Sequence, residues 1–136
     1  MNGYLMQEQE WTPGSDLFME NFSPEKPFGV VFEDDGEAAY FYAVEKDKEG
    51  TGIRILDALH IYEPDGEDDG DGKPSRLQIV WSRDWMKCAL VIDGMCHALF
   101  DFEAHGGYSI NEFPPPNAVW TQGDRKLTNE LMQRLF

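Results

Sequence analysis

Two Asp-Gly pairs constrain this chain more than any other feature. Asp35-Gly36 and Asp93-Gly94 each lie between runs rich in β-branched and aromatic residues: residues 28–34 and 37–44 flank the first, residues 87–92 and 95–102 the second. A two-residue type I′ turn needs positive φ at both central positions, which Asp followed by Gly supplies, so each pair predicts an antiparallel hairpin. With Asp35-Gly36 as the whole loop, Phe32 faces Ala39, Val30 faces Phe41 and Val31 faces Tyr40, which leaves both faces of the hairpin apolar. With Asp93-Gly94 as the loop, Leu90 faces His97 and Val91 faces Cys96. Crossing a two-residue loop switches side-chain parity, so Cys88 and Cys96 fall on opposite faces and are expected as free thiols.

Between the hairpins, residues 53–62 (IRILDALHIY) read as a long strand and residues 76–82, with alternating Leu77, Ile79 and Trp81, as another. Residues 1–27 carry Pro13, Gly14, Pro24 and Pro27 and read as an irregular arm. It holds one short helix over residues 16–22, with Ser15 as N-cap and Pro24 beyond its end. Residues 103–123 contain Gly106-Gly107 and Pro114-Pro115-Pro116 and read as a loop region. Asp124 can cap a final helix whose Leu127, Leu131, Met132 and Leu135 form an apolar stripe. The expected fold is therefore mostly β (α+β), one domain over residues 1–136. It is an antiparallel meander of about six strands over residues 28–102, twisted or part-closed into a barrel, with a short N-terminal helix and a C-terminal helix over residues 124–136.

Several segments resemble a bacterial domain family of unknown function. These are residues 32–37 (FEDDGE) followed by Tyr40-Phe41-Tyr42-Ala43, then residues 55–62 (ILDALHIY), then Phe100-Asp101-Phe102-Glu103-Ala104 leading through Gly107-Tyr108 to Phe113-Pro114-Pro115-Pro116. The resemblance covers about residues 28–117 and implies a small stand-alone bacterial protein. It brings no activity, ligand or catalytic residue with it.

Charge narrows the function classes. Among 136 residues, 11 Lys and Arg stand against 26 Asp and Glu, a formal charge of −15. Phosphate contacts each need a cation, so nucleic acid is excluded as a natural partner. No basic segment followed by an apolar stretch opens the chain and no run of 18 apolar residues occurs, so no membrane association and a cytoplasmic location are expected. Residues 33–71 hold 14 acids and only Lys46, Lys48 and Arg54 as bases, a net charge of −11. In a meander, alternate turns share an end of the sheet. That gathers Glu33, Asp34, Asp35, Glu37, Glu63, Asp65, Glu67, Asp68, Asp69, Asp71 and Asp93 into an acidic pole. One reading is recognition of a basic macromolecule, most concretely an immunity- or inhibitor-like role against a basic protein; the other is solubilising turn residues with no partner.

Other constellations point less far. Asp65, Glu67 and Asp69 before Gly70 echo the start of a Ca²⁺-binding loop, but the position that needs a bidentate Glu is Arg76, so a solvated loop is expected there. His60, Tyr62, Trp81 and His97 could line a pocket in a curved sheet and serve a small-molecule or enzymatic function, or they could be core residues. Asp57 and His60, three apart on a strand, point to opposite faces and are expected to be hydrogen-bonded structural groups. No catalytic residue, metal centre or cofactor follows from the spacings of His, Cys and Ser.

Overall fold

The computed structural model describes residues 2–49, 51–62, 73–116 and 118–136. Among them nine strands form two antiparallel sheets and one helix follows. Strands β2 (Leu17–Phe22), β3 (Phe28–Asp34), β4 (Ala39–Lys46) and β5 (Ile53–Tyr62) pair in chain order as a four-stranded sheet. Strands β1 (Tyr4–Trp11), β6 (Ser75–Trp81), β7 (Lys87–Ile92), β8 (Met95–Asp101) and β9 (Gly106–Ser109) form a five-stranded sheet in the order β1-β6-β7-β8-β9. The helix α1 spans Asn129–Leu135.

One face of each sheet closes on the other. Val30, Phe32, Phe41 and Leu59 of the four-stranded sheet meet Leu77, Ile79, Trp81, Leu90 and Phe100 of the five-stranded sheet, and every one of these is fully buried. At roughly 1.5–3 kcal/mol for each large apolar side chain removed from water, this shared core is the principal cohesive term. A smaller cluster lies on the far side of the five-stranded sheet, where Ala89, Cys96 and Leu99 pack under Tyr108, Leu127, Met132, Leu135 and Phe136.

The structure corrects several sequence expectations. Among the described residues nine strands replace six, and two separate sheets replace the part-closed barrel. The meander breaks after β5, because β6 pairs with β1 and β7 and not with β5. The expected helix over residues 16–22 is instead a left-handed Asp16, with φ of 59°, followed by β2 from Leu17: Met19 is buried while Phe18 and Glu20 on either side are exposed, which is a period of two. Gly106 and Gly107, expected in a loop, belong to β9, where a Cβ on Gly107 would lie 2.6 Å from a carboxylate oxygen of Asp57. The helix begins at Thr128, whose hydroxyl accepts from the Leu131 amide, and not at Asp124. Ahead of it Arg125 is buried and its carbonyl accepts from the Ser109 amide, which keeps that stretch extended.

Both hairpins slip from the expected register. Phe32 pairs with Phe41, Val30 with Ala43 and Val31 with Tyr42. The loop is widened to residues 35–38, because the Asp35 carboxylate accepts from the amides of Glu37 and Ala38. At Asp93-Gly94 the two-residue turn keeps Val91 opposite Cys96, but a bulge then places Leu90 opposite Ala98 and not His97. Cys88 nonetheless faces the shared core and Cys96 the outer cluster, and both are free.

Candidate functional site

The outward face of the four-stranded sheet is a grid set by strand register. Phe18 lies opposite Glu33, Glu33 opposite Tyr40 and Tyr40 opposite His60, which makes one row across all four strands. Glu20, Val31, Tyr42 and Ala58 make the next row. Period-two alternation forces this: Met19, Phe32, Phe41 and Leu59 turn inward, so their neighbours turn outward. The rings are in contact. Tyr40 and Tyr42 stack with centroids 6.0 Å apart, and His60 stands edge-on to Tyr40 at 5.3 Å and to Phe113 at 5.8 Å. Asn111 secures the His60 side by donating to the His60 carbonyl at 2.9 Å.

Phe18 and Glu33 are exposed, Tyr40, Tyr42 and His60 half-buried. No Lys or Arg among the described residues forms an ion pair with Glu20 or Glu33. Partial burial and the Glu33 carboxylate push the Tyr42 hydroxyl above its usual range, so it stays protonated at neutral pH. One cation does lie on this face, at its third row: Lys46 sits 4.6 Å above the Phe22 ring.

The acids expected at one pole are only partly described. Asp65, Glu67, Asp68, Asp69 and Asp71, with Glu63, lie outside the described residues, and so does the Ca²⁺ candidate formed by Asp65, Glu67 and Asp69. The exposed acids Glu33, Asp35, Glu37 and Asp93 sit at the end where β3 turns into β4, β5 finishes and β7 turns into β8. Backbone amides stabilise the ionised forms of Asp35 and Asp93 and lower their pKa values. Asp34 is different: it is buried, and its carboxylate accepts from the Trp11 indole at 2.8 Å and from the amides of Gly14, Ser15 and Gly36. It latches the β1–β2 turn to the hairpin and presents nothing to a partner.

The four pocket candidates do not converge. Trp81 is fully buried and donates its indole N–H to Asn21 in the core. His60 faces outward from the four-stranded sheet. Tyr62 and His97 line a common open hollow of about 490 Å³ with Trp11 and Asp93. Asp57 is buried in a bidentate pair with Arg125, with both oxygens 2.8 Å from guanidinium nitrogens, and it also accepts from the Thr121 hydroxyl at 2.6 Å. With its lone pairs taken, it is a structural clamp. Among the described residues no His, Cys, Asp and Glu group could hold a metal ion, and no helix is long and apolar enough to cross a membrane.

Sequence reasoning missed Phe18 and Phe113. The first needed β2 to be recognised as a strand, and the second needed the fold-back of the 110–116 segment onto β5, where the His60 amide donates to the Phe113 carbonyl. For Phe18 the available signal was the alternation of residues 17–22, which fits a strand of period two as well as a short helix.

Fold and site together define an antiparallel two-sheet β protein with an open aromatic and acidic sheet face. The chain belongs to the bacterial family described as "Uncharacterized protein conserved in bacteria (DUF2251)", whose model matches residues 11–136. That match takes in β2 and the C-terminal helix, beyond the residues that carry the resemblance in the sequence. A relative from Haemophilus influenzae (strain ATCC 51907 / DSM 11121 / KW20 / Rd), described only as "Uncharacterized protein", is 37% identical over 105 residues, which cover 76% of this chain and 62% of the relative. No solved structure matches the chain.

Proposed function

We propose that this protein is a cytoplasmic binding module that recognises a basic protein through the acidic end and the adjoining outer face of the four-stranded sheet. The observation that carries this reading is the continuity of exposed Glu33, Asp35 and Glu37 with the Phe18–Glu33–Tyr40–His60 row. Carboxylates beside half-buried rings offer a cation both charge and an apolar platform, whereas a purely solubilising face has no use for the rings. An immunity- or inhibitor-like role against a basic toxin or nuclease is the most concrete form, because charge complementarity would speed association at low salt. Buried free thiols at Cys88 and Cys96 suit a reducing compartment.

The test separates placed charge from net charge. Glu33→Lys with Glu37→Lys, and Glu25→Lys with Glu49→Lys at the opposite end, each change the formal charge from −15 to −11. With a fluorescein-labelled nona-lysine peptide, the first pair should weaken binding at least tenfold more than the second and should remove most of the salt dependence of the association rate. Equal losses in the two variants would mean that only net charge is felt and would defeat the reading.

A further inference from the structure

The first row of the open sheet face has a more specific chemistry than acidity, and its assignment rests on the binding role proposed above. Glu33 lies between Phe18 and Tyr40 in direct cross-strand register, and residues so paired have Cβ atoms about 4.5–5.5 Å apart. A carboxylate is thus flanked by two aromatic rings, with Tyr42 stacked beside one of them and His60 standing edge-on to it. Two rows away the same face holds a cation on a ring, Lys46 over Phe22. The first row repeats the ring and adds the carboxylate, yet no Lys or Arg of the described chain pairs with Glu33.

We infer that the row takes an arginine side chain of a basic partner, its guanidinium lying on Tyr40 while it donates to Glu33. The planar fork of arginine can stack on a ring and donate two parallel hydrogen bonds to a carboxylate at once; a lysine ammonium, a compact and strongly hydrated point charge, cannot combine the two. A second copy of this chain is a poor occupant, because it would bring another −15 to the same face. Nucleic acid is excluded by the same sign.

The experiment compares fluorescein-labelled nona-arginine and nona-lysine by anisotropy on the full chain, wild type and variants. Nona-arginine should bind more tightly than nona-lysine, because only the guanidinium combines the stack with the bidentate pair. That preference should vanish in Tyr40→Leu, persist in Tyr40→Phe, which keeps the ring and guards against misfolding, and shrink in Glu33→Gln. Amide chemical shifts followed during the nona-arginine titration should move first at Phe18, Glu33, Tyr40 and His60. Equal affinity for the two peptides, an arginine preference untouched by Tyr40→Leu, or shifts confined to other surfaces would overturn the inference. The broader reading would survive those outcomes as long as the Glu33 and Glu37 reversals still outweighed those at Glu25 and Glu49.

Discussion

The two sheets share a core and differ in what they turn away from it. Across the outer face of the five-stranded sheet runs the register row Leu5, Val80, Ala89, Leu99 and Tyr108; across that of the four-stranded sheet runs Phe18, Glu33, Tyr40 and His60. The first row passes, from Ala89 onward, beneath Leu127, Met132 and Leu135, and Leu99 is fully buried. The second keeps Phe18 at 58% exposure. Residue chemistry accounts for the contrast: small and aliphatic groups let a helix approach closely, whereas a carboxylate such as Glu33 under a helix would lose its water with no cation to replace it. The covered face is thereby structural, and the open one stays accessible to solvent.

The strongest way to break this comparison is to remove what secures the cover. Arg125, just ahead of the helix, is clamped to Asp57 on β5, so the cover of one sheet is anchored to the other sheet. Arg125→Met leaves the Asp57 carboxylate buried without its cation and should cost about 3–5 kcal/mol in urea unfolding. Adding Asp57→Leu to it should recover part of that loss, because the uncompensated charge goes with it. A loss below about 1 kcal/mol for Arg125→Met alone would mean that solvent reaches Asp57 and that the anchor is weak.

Matched truncations sharpen the contrast between the faces themselves. Leu99→Ala opens a cavity beneath the helix and should cost about 2–5 kcal/mol. Phe18→Ala on the open face should stay within about 0.5 kcal/mol of wild type, as exposed positions do, while weakening nona-arginine binding. Comparable costs at the two sites would show that the open face is packed against something after all.

How much of this was legible depends on how far apart the interacting residues are in the chain. The Asp-Gly turns, β5 to β8 and the separation of Cys88 from Cys96 all follow from local pattern and period. The misreadings have distant causes. Ser15 before an apolar run looks like a helix cap, yet that turn is shaped by Asp34, whose carboxylate takes the amides of Gly14 and Ser15 from about twenty residues away. The Asp35-Gly36 hairpin widens because Asp35 spends its side chain on the Glu37 and Ala38 amides, which a turn dipeptide does not reveal. Asp57 was identifiable as structural, but its partner, Arg125, lies 68 positions on. Of the candidate row, Glu33 and His60 were named, but for an acidic pole and a pocket respectively; Tyr40 was read only as a strand residue, and Phe18 was hidden by the same helix misreading.

The far end of the five-stranded sheet predicts a pH dependence of its own. Lys87, itself buried, donates to Asp84 at 2.8 Å and to Glu103 at 3.2 Å. Although partial burial opposes it, hydrogen bonding to Lys87, Ser82 and the Met86 amide lowers the Asp84 pKa to about 2 from an ordinary 3.8. A depressed carboxylate contributes stability that is complete above its ordinary pKa and is lost as pH falls, here between about pH 4 and 2. Because the Asp84 side chain is 52% exposed, screening limits the effect to less than about 1 kcal/mol. The two carboxylates raise the Lys87 pKa against the effect of burial, so its contribution is complete below the ordinary lysine range and is lost only above it. Asp84→Asn should flatten the acid limb of a thermal-stability profile, and an acid limb unchanged in that variant would show that the Lys87 and Ser82 contacts do not hold the carboxylate in its ionised form.

The last test reads the cover directly, through the order in which the two layers open. Cys88 faces the shared core and Cys96 lies under the helix, so the two thiols report on different layers. Burial pushes the Cys96 thiol up to about 11 and raises the Cys88 thiol well above its ordinary range, so at pH 8 only about one Cys96 in a thousand would be thiolate even if a reagent could reach it. In the native protein both should resist iodoacetamide, and both should react in urea. Leu131→Ala weakens the helix's buried anchor, so it should speed alkylation of Cys96 while leaving Cys88 protected, since exposing the core requires the sheets to separate. Equal acceleration of the two, followed by mass spectrometry of the labelled peptides, would show that cover and core open together and that the five-stranded sheet has no separable outer layer.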